Sequence, residues 1–278
     1  MLSSQDMWDM PFSLPLADVA AREGDASEGR PRTVTHWAAH ICYAIIAFVF
    51  KIAFRYSTVG LGNLRRLHGV SGAVVACAHF SYLDPAFLWI TARPEQWIRF
   101  MARDTIFGNA HGLAGQVVSR AAGFPVKRDA ADRVAIKRAA AMLKRGEIVG
   151  IFPEGTRRGG KGSARISLHN GAAFIARMGK APLVPAAVRN VDLISPKGSK
   201  LPHFPKVTVV YGAPVHLEDF DFIPKDERLD AVSWYVMREC HALKADVDRE
   251  SVDMHALFPA SKDYSAEFAG RDMARRVA

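Results

Sequence analysis

Short apolar runs alternate with stretches of helical period along most of this 278-residue chain. The run AVVACA at 73–78 leaves no polar side for solvent, which predicts a strand covered on both faces. By the same reading, strands fall at 98–102, 124–127, 147–152, 183–188 and 207–211. Helical spacing falls between them, at 85–92, 104–121, 130–145, 170–179 and 226–244. The 130–145 segment sets Ile136, Ala140 and Leu143 on one face, with Asp129 as its expected N-cap and Gly146 past its end. The 226–244 segment aligns Leu229, Val232, Val236, Cys240 and Leu243. Alternation of this kind predicts one α/β domain, a mainly parallel sheet flanked by helices. No internal repeat interrupts it. The chain divides into an acidic, poorly ordered leader at 1–35, an apolar helix at 36–56, the α/β body at 57–245 and a weakly patterned tail at 246–278.

The apolar helix centres on ICYAIIAFVF, residues 41–50. Ten such residues are about half of what a membrane span needs. The segment starts some forty residues in and follows an acidic stretch, unlike a secretion signal. Two readings stay open, a helix buried in the core or one lying in a membrane interface. Flanking His36, Trp37, Lys51, Arg55 and Tyr56 favour the interface, where aromatic rings and cations anchor at headgroup depth.

Charge narrows the choice of partner. The formal net charge is +9, yet residues 1–30 hold six acids and two bases, so the rest of the chain carries +13. A basic body calls for an anionic partner: nucleic acid, a phosphorylated metabolite or an anionic membrane surface. Cys42, Cys77 and Cys240 stand in apolar surroundings and in no metal-ligand spacing, as small hydrophobes in a reducing, cytosol-facing compartment would.

In parallel α/β sheets, ligands bind at the carboxyl ends of strands, so the loops after strands are where chemistry is expected. After AVVACA comes His79-Phe80-Ser81-Tyr82-Leu83-Asp84-Pro85. If the chain turns back there, Asp84 orients His79 as a base; otherwise Asp84 merely caps the following helix. After EIVGIF comes PEGTRRGGK, with four cations and no acid between Gly155 and Ile166. It lacks the Walker spacing, so it reads either as a phosphate cradle outside nucleotide hydrolysis or as a solvated basic loop. The stretch GFPVKRD places Lys127 and Arg128 at a third strand end, as phosphate ligands or as a simple helix-start turn.

Taken in order, His79-x-x-x-x-Asp84, Arg128 in GFPVKR, FPEGTR at 152–157 and Val184-Pro185 resemble the four ordered blocks of the glycerolipid acyltransferases. The likeness is nearest to the lysophosphatidic acid branch of that family and runs over roughly residues 35–220. It implies a glycerol-3-phosphate acyltransferase-like fold. It also implies that His79 deprotonates an acceptor hydroxyl while Asp84 orients it, the hydroxyl attacking an acyl thioester directly. Arg128, Glu154, Gly155, Thr156 and Arg157 would hold the acceptor's glycerol phosphate, with Ser81 and Pro185 completing the binding site. The donor would be acyl-CoA or acyl-carrier protein, the acceptor lysophosphatidic acid, and the place the cytoplasmic face of the cell membrane. Because the thioester supplies the driving force, no metal or redox cofactor is implied. Two departures stand out: Ala78 where asparagine is usual before the histidine, and Arg158 where serine is usual. Arg158 is expected to add a cation beside the phosphate.

A nucleic-acid-binding protein would interleave its cations with stacking aromatics, whereas these basic loops are glycine-rich and the aromatics gather in the apolar helix. A non-catalytic membrane-binding relative would have no need of both His79 and Asp84. Within the family, another lysophospholipid or glycerol-3-phosphate is the alternative acceptor.

Overall fold

The computed structural model describes residues 8–10, 12, 37–92, 97–108, 112–127, 132–158, 166–196, 198–199 and 201–271. Its elements in chain order are α1 (Trp37–Phe54), β1 (Ser57–Val59), α2 (Leu61–Arg65), β2 (Ala73–Cys77), α3 (Asp84–Ala92) and β3 (Ile98–Arg103). Next come α4 (Asp104–Gly108), α5 (Leu113–Arg120), β4 (Phe124–Val126), α6 (Arg133–Lys144), β5 (Ile148–Ile151) and α7 (Gly171–Gly179). β6 (Leu183–Arg189), β7 (Thr208–Tyr211), α8 (Arg228–Ala245) and the short α9 (Met254–Leu257) and α10 (Ser265–Phe268) complete them.

The strands form one seven-stranded sheet in the order β1-β7-β6-β2-β5-β3-β4. Every described neighbour pair is parallel except β6 with β7. β2 shows why its sequence is apolar throughout. Val74 and Ala76 face one core, with α6, α7 and α8, while Ala73, Val75 and Cys77 face the other, with α1 and α3. A strand covered on both sides has no solvent face to mark with polar residues.

The apolar helix packs one face into the core and leaves the other exposed. α1 turns Ala39, Cys42, Tyr43, Ile46, Ala47, Phe50 and Phe54 inward, the Phe50 ring lying 4.7 Å from that of Phe87. Its other side leaves Trp37, Ile41, Ile45, Phe48, Val49 and Ile52 exposed. Among the described residues, no helix is long and apolar enough to cross a membrane.

Several boundaries differ from the sequence reading. The helix expected at 104–121 is two, α4 and α5, which fold against each other where Gly115 lets the Phe107 backbone approach; a Cβ there would sit 2.6 Å from it. α6 is capped by Asp132, whose carboxylate accepts from the N–H groups of Val134 and Ala135; the expected cap, Asp129, lies outside the described residues.

The ends of the chain also contribute more than their patterning indicates. In the leader, Phe12 is buried, the Trp8 indole N–H donates to Ser119 at 2.9 Å, and the Phe12 N–H donates to Glu147. Arg99, fully buried in β3, pairs with Glu147 at 3.2 Å and donates to the carbonyls of Trp8 and Met10. A buried guanidinium is tolerable only when so many acceptors surround it. In the tail, Met254, Phe258, Tyr264 and Phe268 are buried in the core beneath α8.

Candidate active site

β2 and β5 are adjacent and parallel, so the loops that leave them emerge side by side at the carboxyl ends of the central strands. That adjacency brings the His79 loop to the PEGTRR turn. The first loop closes on Asp84, which is 1% exposed. One carboxylate oxygen, Oδ2, accepts from the backbone N–H of Phe80 at 2.8 Å and of Ser81 at 2.7 Å, and sits 2.9 Å from His79 Nδ1. Asp84 thus begins α3 but turns its side chain back onto the loop, and the capping alternative falls away. With Nδ1 held by the carboxylate, the proton belongs there and Nε2 is left as the basic nitrogen. The His79 ring stacks on Phe152 at 4.2 Å between centroids, and its side chain keeps 12% exposure, enough for a substrate atom to reach it.

The second loop reverses at Gly155, whose φ of +63° is costly for any residue with a Cβ. The reversal brings the chain back over the first loop, where the Arg158 N–H donates to the His79 carbonyl at 2.7 Å. Glu154, 1% exposed, accepts the His79 N–H at 3.0 Å through Oε2. Its Oε1 accepts from Arg158 Nε and lies 3.3 Å from His241 Nε2 on α8. Burial alone would raise the Glu154 carboxyl, but His241, Arg158 and the His79 N–H together hold it below its ordinary value. Arg157 lays its guanidinium over the Tyr82 ring, 3.2 Å from the centroid. Thr156 beside it is exposed.

Similarity to known proteins identifies the family. The family model described as Acyltransferase matches residues 58–189. A 1-acyl-sn-glycerol-3-phosphate acyltransferase from Bacillus subtilis (strain 168) is 36% identical over 187 residues, 67% of this chain and 88% of that protein. The chain belongs to the acyltransferase family. The crystal structure of the 1-acyl-sn-glycerophosphate (LPA) acyltransferase from Thermotoga maritima has the same fold, with a TM-score of 0.51 at 22% identity over 73% of this chain and 80% of that one.

In this acyltransferase the residues expected at the site divide by location. His79, Asp84, Glu154, Gly155 and Arg157 meet across the two loops. Ser81 accepts the Leu83 N–H at 3.2 Å, so its hydroxyl takes part in the turn. Pro185 is buried in β6 beside Ala76, three residues before His79, and its carbonyl accepts from Gly212. Arg128 lies outside the described residues. Arg158 is a correction. Instead of adding a cation beside the phosphate, it turns inward onto Glu154, with its guanidinium 4.8 Å from the Phe258 ring centre. His241 had no local signal, since it reaches the site through a contact between elements distant in sequence, whereas Phe152 and Tyr82 stand within the two loops but with no role read for them there. Beneath the site, burial raises the Cys77 thiol well above its ordinary value and pushes that of Cys240 up to about 12. Thiols so held are packing groups and not nucleophiles.

Proposed function

We propose that this acyltransferase moves a fatty acyl group from acyl-CoA or acyl-carrier protein to the free hydroxyl of lysophosphatidic acid, giving phosphatidic acid. The observation that carries the proposal is the His79–Asp84 contact beside the PEGTR turn. His79 Nε2 takes the proton of the acceptor hydroxyl as its oxygen attacks the thioester carbonyl. The imidazolium, stabilised by Asp84, returns that proton to the departing thiolate, so ester and thiol form with no net change at the enzyme. Arg157 and Thr156 hold the acceptor phosphate, a role that the sequence resemblance also gives to Arg128. Glu154 serves this arrangement from within, since both of its oxygens are engaged by protein groups.

The outward face of α1 supports a second element of the proposal, attachment to the membrane at its cytoplasmic face. Six apolar side chains on one stripe fit the boundary between headgroups and acyl chains, and the basic body adds about 1 kcal/mol per cation near an anionic surface. The acceptor then reaches His79 from the bilayer without passing through water. A panel of lysolipids and glycerol-3-phosphate, each offered with labelled acyl-CoA and read by product chromatography, tests the reaction. Labelled phosphatidic acid as the main product supports it, and preference for an acceptor without a terminal phosphate overturns the acceptor assignment.

A further inference from the structure

The His79 peptide is held at both ends by the neighbouring turn. Glu154 Oε2 takes its N–H at 3.0 Å, and the Arg158 N–H is given to its carbonyl at 2.7 Å. Such a clamp is only as firm as Glu154, a carboxylate removed from water. What keeps that carboxylate ionised and in place is the pair of donors on Oε1, Arg158 Nε and His241 Nε2. Neither donor rests on the two catalytic loops alone. Arg158 lies against Phe258 and donates to the Leu257 carbonyl at 3.4 Å. His241 is buried on α8, with the rings of Phe80 and Phe258 each 6.0 Å from its own. His241, Leu257 and Phe258 all lie beyond residue 189, where the family model ends.

We infer that Arg158 and His241 are positioning residues that act through Glu154 on the backbone of His79, so that α8 and the C-terminal segment set the aim of the base. The inference rests on the reading of His79 as the base. It does not depend on which acceptor is used. Without Arg158, Glu154 is left buried with an unmatched charge and takes a proton or swings away; without His241, its Oε1 keeps Arg158 but loses the tether to α8, and the carboxylate can rotate. The His79 peptide is then free to shift, and a displacement of about 1 Å at a base costs on the order of 10²-fold in rate. Acceptor binding is spared, because the Arg157 guanidinium packs on the Tyr82 ring and has its own support there.

The test uses the full-length chain with labelled acyl-CoA and whichever acceptor the wild type prefers. His241→Leu should lower kcat on the order of 10²-fold with acceptor KM within about twofold, and His241→Gln, whose amide N–H reaches the same oxygen, should restore most of kcat. Arg158→Met and Arg158→Lys make the parallel pair, and thermal melting confirms folding in each case. Unchanged kcat in a folded His241→Leu protein overturns the inference, as does a fall in kcat matched by a rise in KM. Should His241→Leu not fold, the Arg158 pair decides on the same criteria. Turnover by a folded His79→Ala protein is read separately: it removes the base assignment itself, whereas a change of preferred acceptor leaves the brace intact.

Discussion

Ile45 and Phe48 lie on the outer face of α1, 59% and 67% exposed, whereas the neighbouring Ile46 and Phe50 pack into the core. Replacing the first two with glutamate should therefore strip membrane affinity without touching the fold. Fully burying a large apolar side chain gains ~1.5–3 kcal/mol, so residues half to two-thirds exposed have about 1–2 kcal/mol each to gain in a bilayer interface. Over the six exposed residues the face is worth on the order of 6–12 kcal/mol, and the double variant forfeits about 2–4 of it before any repulsion from anionic lipid is counted. At 1.4 kcal/mol per tenfold, vesicle partitioning should fall by about 30-fold or more. Flotation with anionic vesicles measures it, and thermal melting of the same samples checks the fold. High salt should weaken binding of the wild type but not abolish it, since apolar burial is not screened. Equal flotation of the double variant and the wild type would refute the reasoning, because the exposed stripe would then have nothing to do with the bilayer.

His79→Ala should abolish transfer, and Asp84→Asn should lower kcat by about 10²–10⁴, because the base loses its orienting and charge-stabilising partner; single-turnover assays on folded protein read both. Arg157→Ala should raise acceptor KM by about ten- to a hundredfold, the equivalent of one charge-assisted contact, with kcat nearly unchanged. Phe12→Ala should destabilise the protein by about 3–5 kcal/mol, seen as a lower denaturation midpoint, since Phe12 fills the core from the leader. The Glu154 carboxyl is held below its ordinary value of 4.5, so its contribution to stability is full above that value and is lost as pH falls through the lower folded one. In Glu154→Gln this part of the acid dependence should disappear from denaturation midpoints measured between about pH 3 and 6.

The sequence by itself determined the alternation of strands and helices, because β2 and its neighbours need apolar residues on both faces and the helices need them on one. It also carried the His79–Asp84 pair and the PEGTR turn, since a five-residue loop and a glycine with positive φ are local requirements that a short segment must meet in its own residues. Tertiary structure decided the rest. α1 could not be assigned to core or interface from its composition, because a helix apolar all round satisfies both, and only packing against Phe87 and Trp89 shows which side is left over. The leader and tail showed no sustained period because their anchors among the described residues come as isolated pairs four residues apart, Trp8 with Phe12 at one end and Met254 with Phe258 and Tyr264 with Phe268 at the other. The brace on Glu154 was beyond reach for a similar reason. His241 stands 87 residues away along the chain, and a hydrogen bond between two elements leaves no period, spacing or composition for a sequence to display.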